Sequence, residues 1–103
     1  MGILIVVTEE DNNMAMTQEQ FQAKTQEHGY GEAKNVEFEP NRTGELHAHD
    51  FSAMLMVTSG QLTMGYESGP VTYGPGDWCE VAQGMLHSEN SGPEGATALA
   101  ARK

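Results

Sequence analysis

From Gly31 onward, turn-forming residues punctuate this chain about every ten residues, and no helical pattern fits between them. Pro40-Asn41-Arg42-Thr43-Gly44, Ser59-Gly60, Glu67-Ser68-Gly69-Pro70 and Gly74-Pro75-Gly76-Asp77 each favour a reversal of direction. Glycine supplies positive φ, proline presets φ, and Asn or Asp bond back to their own backbone. Between the turns, Val36 and Phe38 alternate with Asn35, Glu37 and Glu39, and Leu62, Met64 and Tyr66 alternate with polar or glycine neighbours. Such a period of two marks half-buried strands. Ala53 to Thr58, Val71 to Tyr73, Trp78 to Val81, Leu86 to Asn90 and Ala96 to Ala101 complete the series. Parallel strands would need crossovers of a dozen residues or more, usually helical, and there is no room for them. The spacing therefore predicts seven or eight short antiparallel strands in an all-β sandwich or barrel.

The first thirty residues read differently. Ile3 to Val7 is β-branched and apolar, which favours a further strand, and Asp11-Asn12-Asn13 breaks it. Thr17-Gln18-Glu19-Gln20 fits a capping box and Gly29 is a natural terminator, so a helix is expected from about Thr17 to His28. Phe21 and Ala23 are its apolar residues, which suits a helix lying across the surface of a sheet. His28, in its last turn, complements the helix dipole. Residues 1–30 are thus expected to form an extension and residues 31–103 the β domain, within one domain of ordinary size.

Charge narrows the partners. Fifteen acidic residues against five basic ones give a formal charge of −10, with the basic residues scattered. Nucleic acid and anionic membranes need clustered Lys and Arg, so neither is an expected partner. A homodimer is expected, because association would help so small a core. Cys79 is the only cysteine, which excludes an intrachain disulfide and a tetrathiolate zinc site and fits a reducing, cytoplasmic setting. The short apolar start, followed by Glu9-Glu10-Asp11, has neither the flanks of a signal peptide nor the length of a membrane span.

Chemistry is concentrated in Gly44-Glu45-Leu46-His47-Ala48-His49-Asp50. In extended backbone, residues two apart project from one face, so His47 and His49 point together. Neutral imidazoles so placed chelate a metal. His87, following Gly84, is the third histidine expected to converge with them.

These residues resemble the cupins, small β-barrels of the jelly-roll type. The first cupin motif is Gly, five residues, His-x-His, three or four residues, Glu, six residues and Gly. His47, His49 and Gly60 fall on it, Gly44 stands out of register for the opening glycine, and Ala53 occupies the glutamate slot. The second motif is Gly, five residues, Pro-x-Gly, two residues, His, three residues and Asn. Gly76, Gly84 and His87 fall on it; Ala82 replaces the proline and Ser91 stands in the asparagine slot, one beyond Asn90. The resemblance covers about Val36 to Ala101. It implies an antiparallel jelly-roll β-barrel with a short N-terminal helix, and a divalent transition metal held by His47, His49 and His87. With Ala53 in place of the carboxylate, the expected ligand set is three imidazoles, which suits Fe, Ni, Zn or Cu over Mg or Ca.

Glu89 is in phase with His87 on one strand face, which makes it the candidate catalytic acid or base, or a distant ligand. Asp50, beside His49, is a candidate to orient an imidazole. Cys79 shares parity with Val81, and Trp78 with Glu80, so one pair faces the barrel interior. Ala53, Leu55 and Val57 share one face and Met54 and Met56 the opposite one; the methionines, with Met64 and Met85, are expected in core or interface packing. Two functions fit. One is a metal-dependent enzyme of dioxygenase, isomerase or lyase type acting on a small organic molecule; the other is a non-catalytic binding or sensory barrel for a small-molecule ligand.

Overall fold

The computed structural model describes residues 15–103, so the strand expected at Ile3 to Val7 lies outside the described residues. One helix and five strands follow in order: α1 (Gln18–Glu27), β1 (Lys34–Phe38), β2 (Ala53–Tyr66), β3 (Gly69–Tyr73), β4 (Trp78–Val81) and β5 (His87–Arg102). Every strand pairing is antiparallel. β5 lies between β1 and β2, while β4 and β3 share the other edge of β2, one along each half.

Among the described residues, the expected series of seven or eight short strands is corrected to five, two of them long. Ser59-Gly60 is not a turn. β2 runs through it with register shifts between Val57 and Ser59 and between Gly60 and Leu62. Gly60 has φ +74, and a Cβ there would collide with the carbonyl of Gly95 on β5. The glycine thus bends the strand where two backbones touch, as bulges do, without ending it. Likewise the strands expected at Leu86 to Asn90 and Ala96 to Ala101 are two halves of β5.

The helix follows its sequence closely. Thr17 is the N-cap, its Oγ1 accepts from the Gln20 amide at 3.1 Å, and Gln20 Oε1 accepts from the Thr17 amide at 2.9 Å. His28 is the C-cap. Phe21 and Thr25, rather than Phe21 and Ala23, are the residues α1 buries.

Strand parity sorts the core into two layers. Leu55, Val57, Leu62, Met64, Cys79, Val81, Ala96 and Ala98 fill the barrel interior, with Val36, Phe38, Ala53, Tyr66 and Tyr73 packed against them. Met54, Met56, Leu99 and Ala101 face outward and are covered by Phe21, Tyr30 and Ala33, with Met16 and Trp78 at the margin. The Cys79/Val81 pair is therefore the inward one. The architecture is an antiparallel barrel with one helix sealing its outer face, and its interior face runs out at one end into the histidines. Among the described residues no helix is long and apolar enough to cross a membrane.

Candidate metal centre

The site is assembled by backbone before side chains. His47 sits in no regular strand, but it forms an isolated antiparallel bridge with His87: each amide donates to the other's carbonyl at 2.9 Å. The chain leading to His47 is pinned along the same edge, where the Asn41 amide donates to the Gly92 carbonyl and the Ser91 amide to the Arg42 carbonyl. Gly44 lies so close to β5 that a Cβ would stand 2.8 Å from the Glu89 carbonyl oxygen. Its amide donates to Asn90 Oδ1 at 3.0 Å. These contacts give two sequence features a local purpose: Gly44 permits the approach, and Asn90 fastens it. His49 is held by its carbonyl, which accepts from the Gly84 amide at 3.0 Å.

The three rings meet. Their centroids are 4.4 Å apart for His47 and His87, 4.8 Å for His47 and His49, and 5.2 Å for His49 and His87. Glu89 joins them, because residues two apart on β5 share a face. Its Oε2 lies 3.3 Å from His87 Nε2 and 3.8 Å from His47 Nε2. One potential ligand atom from each of His47, His49, His87 and Glu89 lies within 4.8 Å of every other. The sequence expectation of three convergent histidines thus corresponds to a group of four. Ala53 leaves the carboxylate slot of β2 empty, and Glu89 brings a carboxylate in from β5.

Hydrogen bonds fix which nitrogen faces the group. His87 Nδ1 is 3.0 Å from the Met85 carbonyl and His47 Nδ1 is 2.8 Å from the Glu45 carbonyl. A carbonyl only accepts, so Nδ1 carries the proton, and in the neutral ring Nε2 offers its lone pair. Both lone pairs are aimed toward a carboxylate oxygen, itself an acceptor, and His87 is 1% exposed. Acceptors converging this way call for a cation among them. Metal bonds of about 2.1 Å place opposed donors about 4.2 Å apart, close to the 4.8 Å that bounds this group. Burial, followed by the neighbouring His47 and His87 and by Arg102, lowers the His49 pKa, with Glu89 opposing.

Asp50 takes no part: it is exposed and bonds to no histidine, so the expectation that it orients an imidazole is corrected. Phe51 does that work, its ring stacked on His49 at 4.6 Å and 20°. The Arg102 guanidinium lies 4.2 Å from the centre of the same Phe51 ring. Deeper in the barrel, Tyr66 Oη is 3.2 Å from Tyr73 Oη, and both phenols neighbour the Cys79 thiol. Burial raises the pKa of all three groups, that of Cys79 to about 11. A buried thiol held in that state is no nucleophile. Of these residues Tyr66, Tyr73 and Cys79 left a sequence signal through their places in expected strands; the meeting of Phe51 with Arg102, far apart in the chain, left none. His28 lies at the helix end, outside the group.

The model of the cupin domain matches residues 34–101 of this chain. Among solved structures, a cupin-2 domain protein of Shewanella frigidimarina aligns with a TM-score of 0.59 at 20% identity, over 68% of this chain and 67% of its own. The DMSP lyase DddQ of Ruegeria pomeroyi aligns with a TM-score of 0.63 at 20% identity, over 70% of this chain and 37% of its own. A variant of the oxalate decarboxylase of Bacillus subtilis aligns with a TM-score of 0.60 at 26% identity, over 67% of this chain and 20% of its own. These chains share the fold. No curated protein matches the sequence.

Proposed function

Starting from the fact that this chain belongs to the cupin domain family, we propose that it is a metal-dependent enzyme acting on a small organic molecule. Its centre consists of His47, His49, His87 and Glu89. The observation that carries the reading is the convergence of the His47 and His87 Nε2 lone pairs on Glu89 Oε2. Three imidazoles and one carboxylate suit Fe, Ni, Zn or Cu, and leave a bound dication with one net positive charge. Such an ion, once held, supplies Lewis acidity and open positions for water or substrate.

The chain's own groups do the rest. The Met85 and Glu45 carbonyls hold two rings in one tautomer, which keeps Nε2 available without rearrangement. Phe51 keeps the third ring in place by stacking. Glu89 is better placed as the fourth donor than as a free base, because its oxygen is already wedged between two rings. Proton transfer would then fall to water or to the substrate itself. Two fold relatives carry names of lyase and decarboxylase activities, which is consistent with chemistry at such a centre.

The proposal extends to a homodimer, for which light scattering is the direct check. The catalytic reading is tested by incubating metal-loaded and chelator-treated protein with a panel of small organic acids, aldehydes and thiols, following both product and oxygen uptake. Metal-dependent turnover that is lost in H49A supports it. Tight ligand binding without turnover on any member of the panel favours the non-catalytic binding barrel instead.

A further inference from the structure

Arg102 is out of character for its surroundings. The chain carries a formal charge of −10, yet this cation stands beside the histidine group with no acidic partner among the described residues. Among the described residues, the ion pairs join Glu89 to His47 and His87 and none involves Arg102. Strand register explains its position. Ala53 of β2 is paired with Arg102 of β5, and directly opposed residues share a face. Ala53 packs with the barrel interior, as do Ala98 and Ala100 at the same parity on β5. Arg102 therefore emerges on the interior side of the sheet, directly across from the alanine that stands where a cupin carboxylate would. Its guanidinium rests against Phe51, which also carries His49.

We propose that Arg102 is the anion-recognition residue of this centre, and that the substrate is a small organic acid bound between the His47/His49/His87/Glu89 group and the guanidinium. The inference rests on the metal reading given above and adds the substrate class to it. The alanine at position 53 matters for the charge opposite it. A glutamate there would neutralise Arg102; alanine leaves its planar donor fork free for a carboxylate. Phe51 supports the guanidinium on one side, while the rest of the Arg102 side chain is exposed and open to a ligand. In so acidic a protein, an uncompensated cation beside a bound dication also favours an organic anion locally.

The test uses zinc-loaded protein with metal content measured first, and two probes that differ in one group. Succinate offers a carboxylate to each end of the site; succinamate offers a carboxylate at one end and an amide at the other. Wild type is expected to bind succinate about tenfold or more tightly than succinamate by calorimetry. R102Q, which keeps the length of the side chain without its charge, loses that preference while keeping its zinc. R102K retains part of it, which a purely stacking role on Phe51 would not produce. Zinc-loaded wild type that binds the two equally, or R102Q that still prefers succinate, overturns the anion assignment alone. Wild type that takes up no metal overturns the metal reading and this inference with it.

Discussion

His47 and His87, forty residues apart in sequence, exchange two backbone hydrogen bonds of 2.9 Å, so main chain holds their rings 4.4 Å apart at a 55° tilt. The approach depends on Gly44, whose missing side chain leaves room for the Glu89 carbonyl. G44V is therefore expected to push the His47 segment away from β5. The folded barrel should persist, because the core lies elsewhere, while metal affinity falls by about tenfold or more. Competition against a chelator measures the affinity, and far-ultraviolet circular dichroism checks the fold. Unchanged affinity would show that the bridge does not set the ring spacing.

Glu89 sits in the group of four although the carboxylate slot on β2 holds Ala53. E89Q preserves shape and removes the charge that a dication would draw on. It is expected to weaken metal binding by about 10- to 100-fold without abolishing it. E89A, which removes the side-chain donor altogether, should be weaker still. Affinity in E89Q equal to wild type would place Glu89 outside the ligand set.

The helix contributes stability more than chemistry. Phe21 is fully buried against the outward-facing Met54, Met56, Leu99 and Ala101. F21A leaves a cavity that the sheet cannot close, at a cost of about 3–5 kcal/mol. For a chain of this size, Tm should fall by well over 10 °C. A calorimetric scan showing a fall of only a few degrees would mean that the helix is loosely attached.

The tyrosines and the cysteine give alkaline pH a definite effect. Burial, followed by the 2.6 Å bond to Glu80, raises Tyr30 from 10.0 to about 12. Burial raises Tyr66 and Tyr73 as well, and raises Cys79 from 9.0 to about 11. All four groups are uncharged when protonated, and folding favours that form. For Tyr30 and Cys79 this contribution to stability is complete below the unfolded values of 9–10 and is lost as pH rises through 11–12. Phenolate absorbance should thus stay low in folded protein at pH 10 and appear at once in denaturant. At pH 8, iodoacetamide should label Cys79 about a hundredfold more slowly in the folded chain than in the unfolded one. Labelling at equal rates would contradict the buried placement of the thiol.

Local signals in the sequence were the legible ones. Thr17 and Gln20 form the capping box, and strand parity correctly separated Leu55 and Val57 from Met54 and Met56. The His-x-His pair and His87 were readable because their spacing is short or repeats a family pattern. What failed depended on distant backbone. Ser59-Gly60 reads as a turn in sequence, yet Gly95 on β5 makes it a bulge, since the same glycine serves both. Asp50 was the obvious neighbour for His49, but side chains adjacent in an extended segment diverge, and it is Phe51, two residues on, that stacks on the ring. The Ala53–Arg102 pairing joins residues 49 apart, and only the register of β2 on β5 reveals it.

Metal content per chain tests the account most directly. Wild-type protein offered Fe, Ni, Zn or Cu and then dialysed is expected to retain about one ion per chain by elemental analysis, and H87A or H47A to retain none while still folded. Wild-type protein that rejects all four metals, or an H87A variant that keeps a full equivalent, would contradict it.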